Sequence, residues 1–338
     1  MLSDTNRECK LVRLDHLSQQ DFGARVEPFR PELQAHCYRM LGSIHDAEDM
    51  VQETFLRAWK RRETFAENVS LRAWLYRIAT NACLDALKKR RRRVIPLTFE
   101  DESSSADPIP PAIPEPIWME PYPDDLLERS DRHPEQDMLK RETITIAFMA
   151  ALQQLPPRQR AVLLLSDVLD WRAAEIADLL DTTVSAVKSA LHRARTALEV
   201  SRTHRLYETP QVLDAALSTQ LEQYVRAWET ADVEGLIGLL RDDATFSMPP
   251  IPSWYRGRDN IRQLISKTIF AGPANGRWRL MPTRANGQIA YGLYRIAEDG
   301  THRAYGIQVL TLYGGQIADI ITFRDPALVA CFSLPTTV

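Results

Sequence analysis

The sequence predicts a multidomain chain, with two all-α units separated by an acidic tether and followed by one α+β unit. Three observations carry that reading. Apolar residues recur at helical spacing through the first two hundred or so positions, a Pro-rich acidic stretch interrupts them, and alternating segments with Gly-containing turns close the chain. A length of 338 residues also exceeds what one hydrophobic core usually organises.

The first helical signal is HDAEDMVQETFLRAW, where Val51, Phe55, Ala58 and Trp59 fall on one apolar face. Asp46 is its expected N-cap, and Glu48 and Asp49 suit the positive end of the helix dipole. SLRAWLYRIATNACLDALKKRRRR follows, with Ser70 as N-cap and Leu71, Leu75, Ile78 and Ala82 on one stripe. It ends in six consecutive cations, Lys88 to Arg93. Three readings of that run stand side by side: a solvated, dipole-compatible helix end, a nuclear-localisation patch, or a phosphate-neutralising patch. Trp74, Tyr76, Arg77 and Asn81 upstream offer the stacking and hydrogen-bonding groups used on unpaired bases, although Trp74 reads better as core.

Charge then reverses. Residues 94–137 carry twelve acids against two bases and nine of the 21 prolines, which leaves about +7 on the rest of a chain whose net charge is −3. Such a stretch cannot bury enough apolar surface to fold by itself and is expected to be an extended linker.

After it, LPPRQRAVLLL, WRAAEIADLL and TTVSAVKSALHRARTAL have the grammar of a helix-turn-helix. Pro157 suits a first helical turn, DTT a tight turn, and Thr183 a cap. Val187, Leu191, Ala194 and Leu198 are expected to face inward, leaving Lys188, Ser189, His192, Arg193 and Arg195 to solvent. A second helix of that composition is what a major-groove reader presents, and an ordinary helical hairpin is the alternative. Beyond residue 212 a helix with Tyr224, Val225, Trp228, Leu236, Leu239 and Leu240 mostly apolar on one side precedes the strand ATFSM, a Pro-rich loop and a helix NIRQLI capped by Asp259. RWRLMPT, QIAYGLYRIA, RAYGIQVLTLYGG and QIADIITF then alternate like antiparallel strands.

Composition excludes some classes of function. Four cysteines form no CxxC pair and seven histidines do not cluster, so no metal site, cofactor or disulfide framework is expected. No run approaches the roughly 18 apolar residues of a membrane span, and MLSDTNRECK lacks a signal-peptide core, so a cytoplasmic protein without membrane contact is expected.

DAEDMVQETFLRAW, LRAWLYRIATNACLDALKKRRRR and the helix-turn-helix segment, in that order, resemble regions 2 and 4 of an extracytoplasmic-function (ECF) sigma factor of the sigma-70 family. The tail, through AWETADVEGLIGLLRDDATFSMPP, WYRGRDNI and GQIADIITFRDP, resembles SnoaL-like members of the NTF2-like superfamily, a curved sheet folded over helices around a conical pocket. The implied organisation is an N-terminal extension over 1–27, region 2 over 28–94, the linker over 95–138, region 4 over 139–205 and a SnoaL-like domain over 212–338.

The resemblance implies partners and site residues. Core RNA polymerase would be bound at its beta-prime clamp through Asp49, Gln52, Glu53 and Arg57, and at its beta flap. Promoter DNA would be met at the minus-10 element by Tyr76, Arg77, Asn81 and Lys88, and at the minus-35 element by Ser185, Lys188, Ser189, His192 and Arg193. Residues 182–186 read TTVSA where relatives more often carry a glycine and an acid, so a promoter sequence cannot be borrowed. In the tail, Met248, Trp254, Tyr255, Arg284, Tyr291 and Arg324 are the pocket candidates for a small-molecule ligand, and no acid–base pair stands out. The leading reading is a non-enzymatic sigma factor regulated by its tail. The alternative is an NTF2-like enzyme or ligand sensor fused to a DNA-binding portion.

Overall fold

The structure, a computed structural model, describes residues 14, 17–65, 70–89, 92–98, 101–113, 118–128, 144–203 and 215–338. Side chains of 200–203 and 215–216, residues 66–69 and the cations Arg90 and Arg91 lie outside that set. The described chain divides into two units: residues up to 90 together with 157–193, and residues 91–156 together with 194–338.

In the first unit, α1 (Gln19–Val26), α2 (Arg30–Leu41), α3 (Ile44–Lys60) and α4 (Leu71–Lys89) form the all-α body expected of region 2. Gly42, with φ 74°, ends α2 in the left-handed conformation that an L side chain resists, which lets Ser43 start α3 three residues earlier than expected. The cap is therefore Ser43, whose Oγ accepts from the backbone N–H of Asp46 at 3.1 Å, and not Asp46 itself. Ser70 does cap α4, accepting from the N–H of Ala73 at 3.1 Å. Val51 and Ala58 of α3 and Leu75, Ile78 and Ala82 of α4 are buried, and Trp59 stands edge-on to Phe22 at 5.4 Å. Trp74 is half-buried against Phe65 at 5.2 Å.

The helix-turn-helix of the same unit is built from α7 (Pro157–Leu163), continued by a π-type turn over Leu164–Val168, α8 (Ala173–Leu179) and the start of α9 (Val184–Thr203). Val162, Leu165, Ile176, Ala177, Leu180 and Val187 make its core. The turn passes through Asp181 at φ 50°, a conformation Asp tolerates, and Thr183 Oγ1 caps α9 by accepting from Ala186 N–H at 3.2 Å. Along α9, Val187 and Ala194 are buried and Leu191 and Leu198 half-buried, which is the inward face its spacing predicts.

The second unit holds α5 (Asp124–Glu128), α6 (Ile146–Gln154), α10 (Ala215–Thr230), α11 (Val233–Gly238), α12 (Arg258–Leu264), α13 (Pro326–Cys331) and six strands. These are β1 (Leu240–Ser247), β2 (Trp254–Arg256), β3 (Trp278–Ala285), β4 (Gln288–Ile296), β5 (His302–Tyr313) and β6 (Gln316–Phe323). The sheet runs β2-β1-β6-β5-β4-β3. It is mixed and not wholly antiparallel as expected, because β1 and β6 pair in parallel. Helix α12 begins at Arg258 from Gly257, whose φ of 82° turns the chain into it, so Asp259 lies inside the first turn. Tyr224, Trp228, Phe246, Tyr255, Trp278 and Leu293 are among the core residues between helices and sheet.

The acidic segment departs most from expectation. Within it Trp118, Met119 and Tyr122 are at most 3% exposed. Burying each such side chain contributes about 1.5–3 kcal/mol relative to leaving it in water. Its prolines keep the backbone extended, so its N–H groups find partners on the C-terminal domain: Ser103 donates to Trp254 O and Ile113 to Pro250 O, both at 2.9 Å. Asn260 supplies a further pair, accepting from Ser105 N–H at 2.8 Å and donating to Ser103 O at 3.0 Å.

Candidate functional site

Helix α9 presents Ser185, Lys188, Ser189, His192 and Arg193 as one exposed stripe, while Val187 and Ala194 on its other side are buried. Val184 adds a 39% exposed apolar side chain at its first turn. Cations and small polar groups on the N-terminal half of such a helix suit base edges and phosphates.

The minus-10 candidates divide. Asn81 and Lys88 are exposed, and Lys88 pairs with Asp85 at 2.9 Å. Tyr76 is 1% exposed, its hydroxyl donates to Glu32 at 3.3 Å, and its ring meets His36 at 5.1 Å and Trp171 at 5.9 Å, each edge-on. Burial also pushes its hydroxyl well above the usual tyrosine range. This tyrosine is a core residue with no ring face open to a base, which corrects the expectation for it. Arg77 reaches Asp178 of α8, bonding its backbone oxygen and pairing with its carboxylate at 2.5 Å. Arg160 of α7 likewise donates to Met40 O. These contacts fasten the helix-turn-helix to α2 and α4 within the first unit.

On α3, Asp49 and Gln52 are exposed, while Glu53 and Arg57 are half-buried and paired at 2.6 Å. That pair holds the guanidinium charged, and Arg57 also reaches Asp85 at 3.4 Å. The same face carries Leu56, 54% exposed. Sequence reasoning missed it, although an apolar residue off the stripe of Val51, Phe55 and Ala58 was the available signal.

The acidic segment is gripped by the β3–β4 hairpin. Asn286 and Gly287, at φ 57° and 71°, make the tight turn favoured by Asn-Gly. The Asn286 side chain accepts from Tyr122 N–H and donates to Ile144 O, both at 2.7 Å, and its own N–H donates to Tyr122 O at 2.9 Å. Gly287 N–H and Arg284 Nε donate to the Asp124 carboxylate at 2.8 and 3.2 Å, and Ile146 N–H donates to Gln288 at 2.9 Å. Arg284, expected in the pocket, is thus a clamp on the segment instead. At its other end Arg93, 6% exposed, lies 3.6 Å from Glu120 and donates to Trp118 O, so the last of the six cations holds the acidic segment.

Between helices and sheet lies a cavity of about 170 Å³. Met248 and Arg324 line it as expected. Trp254, Tyr255 and Tyr291 do not: Trp254 sits under Arg256, Tyr255 is 1% exposed in the core, and Tyr291 stacks on Tyr224 at 5.7 Å. Burial raises the Tyr291 hydroxyl to about 12. Sequence pattern alone missed Trp228, Trp278, Tyr305, Arg295 and the tether residue Ile109 as lining.

The chain thus combines a helical body carrying a helix-turn-helix with an α+β domain built on a mixed six-stranded sheet. Family profiles agree in order: sigma-70 region 2 matches residues 25–93, sigma-70 region 4 residues 145–198, and the SnoaL-like domain residues 221–320. The chain belongs to the ECF RNA polymerase sigma factors. It is 44% identical over 325 residues to the ECF RNA polymerase sigma factor SigG of Mycobacterium tuberculosis H37Rv, covering 94% of this chain and 85% of that one. It is also 30% identical over 180 residues to SigW of Bacillus subtilis, covering 53% of this chain and 88% of SigW. The crystal structure of the M. tuberculosis sigma factor SigJ superposes with a TM-score of 0.58 at 22% identity, over 93% of this chain and 99% of that one, and so shares the fold.

Proposed function

We propose that this sigma factor docks on the beta-prime clamp of core RNA polymerase through the α3 face of Asp49, Gln52, Glu53, Leu56 and Arg57, and on the beta flap through its region 4. Ser185, Lys188, Ser189, His192 and Arg193 then read the minus-35 element, and Asn81 and Lys88 the melted minus-10 strand. Arg77 joins them once it leaves Asp178. The work is done in the cytoplasm.

The C-terminal domain regulates this activity by holding the acidic tether between regions 2 and 4. One observation carries the regulatory part: Asn286 bonds both Tyr122, within the tether, and Ile144, a few residues past its end. A domain that grips the connection between two DNA-binding regions limits how far they separate. Its described lining residues include arginines, threonines and Tyr305 but neither a carboxylate nor a histidine, which supports binding over acid–base chemistry.

Asn286→Gly tests it, since glycine keeps the left-handed turn and removes the amide. Promoter output with purified core polymerase is expected to change while core affinity holds, with faster hydrogen exchange in 118–128. Unchanged output despite faster exchange would refute the regulatory reading.

A further inference from the structure

The cavity's lining is apolar in body and positive in charge. Trp228, Phe246, Met248, Trp278 and Leu293 supply the body, and among the described residues the charged ones lining it are Arg277, Arg295 and Arg324, with no acid. Arg277 is committed to the fold, donating to the carbonyl oxygens of Ile269 and Ala271 at 3.0 and 2.8 Å. Arg295 and Arg324 instead lie over the rings of Trp278 and Tyr305, at 5.9 and 5.2 Å. Arg324 Nε is buried and makes no hydrogen bond. A buried guanidinium donor on a residue that lines a largely apolar space, with no carboxylate paired to it among the described residues, is matched by a ligand oxygen that carries negative charge.

Size sets the rest of the molecule. A cavity of about 150 Å³ holds one benzene ring, so 170 Å³ accommodates a single ring or a short acyl chain. We propose that this cavity binds a small carboxylate with a ring-sized or short-chain apolar body, its carboxylate on Arg324 and its body against Trp228 and Trp278. Ile109 of the tether forms part of the wall, so the ligand touches the segment that joins regions 2 and 4. In that respect the inference rests on the regulatory reading above and names its effector class.

Calorimetry and tryptophan fluorescence on the full chain test it, with benzoate and hexanoate as probes and benzamide as the neutral match for benzoate. At least one carboxylate is expected to bind saturably at one site, and benzoate tenfold or more tighter than benzamide, a difference of about 1.4 kcal/mol. Arg324→Gln should weaken carboxylate binding at least tenfold, and Arg324→Lys, which keeps the charge, should weaken it less. Equal binding of benzoate and benzamide, retention of full affinity by a folded Arg324→Gln chain, or no binding of either carboxylate at millimolar concentration would overturn the proposal. Parallel transcription assays separate the two claims. If transcription responds to Asn286→Gly but neither carboxylate binds, the ligand proposal fails and the regulatory reading stands; if a carboxylate binds but Asn286→Gly leaves transcription unchanged, the reverse holds.

Discussion

Lowering the pH from 7.5 to 5.5 should loosen region 2 through a single residue. His36 is 2% exposed, its Nε2 lies 2.9 Å from Thr80 Oγ1, and its ring packs edge-on against Tyr76. Burial, and then the charges of Arg39 and Arg72, lower its pKa to about 3. In the unfolded chain the imidazole takes a proton near pH 6.5, whereas in the fold it stays neutral. The unfolded state therefore binds the extra proton, and stability present above pH 6.5 is lost progressively as pH falls toward 3. Integrating the linkage between pH 7.5 and 5.5 gives a loss of about 1.4 kcal/mol, or roughly tenfold in the opening equilibrium. Hydrogen exchange in peptides from α2, α3 and α4, corrected for intrinsic rates, reads that opening. His36→Gln can still bond Thr80 but cannot titrate in this range, so its exchange should respond less to pH by that amount. An imidazole that titrates near 6.5 in the folded protein, or a His36→Gln chain with the wild-type pH response, would refute the reasoning.

Two further outcomes are expected. A Cβ at Gly306 would lie 2.0 Å from Phe323 O, a backbone atom on the neighbouring strand, so Gly306→Ala should cost about 3 kcal/mol and lower the Tm of the C-terminal domain by about 10 °C in a thermal melt. Replacing Lys188 and Arg193 together by Ala should abolish promoter-specific binding and, if each contacts a phosphate, reduce the slope of log affinity against log salt by about 2, with core polymerase affinity retained.

Local rules were enough to read the helices and the exposed stripe of α9. The heptad-like spacing of Val187, Ala194 and their neighbours fixes which side of α9 is buried, and that alone exposes Ser185, Lys188 and His192. Tyr76 was beyond such reasoning because its burial depends on Trp171, nearly a hundred residues away, packing over it. The acidic segment misled for a related reason. Composition describes a segment that cannot fold alone, but Trp118, Met119 and Tyr122 become buried on a surface made by residues far along the chain. Arg284 and Asn286 carry the same lesson: a Gly-containing hairpin was legible, and the carboxylate and carbonyls it would grip were not. The parallel pairing of β1 with β6 is likewise set by topology, which alternation within a strand cannot report.

Regulation by the C-terminal domain requires that this domain act on the sigma part. Run-off transcription with purified core polymerase, comparing the full chain with one lacking residues 206–338, measures this directly when core affinity is determined alongside. The prediction is promoter-specific transcript from the full chain, none without core polymerase, and a changed yield or changed core affinity on truncation. Identical yield and identical core affinity for the two chains would contradict it.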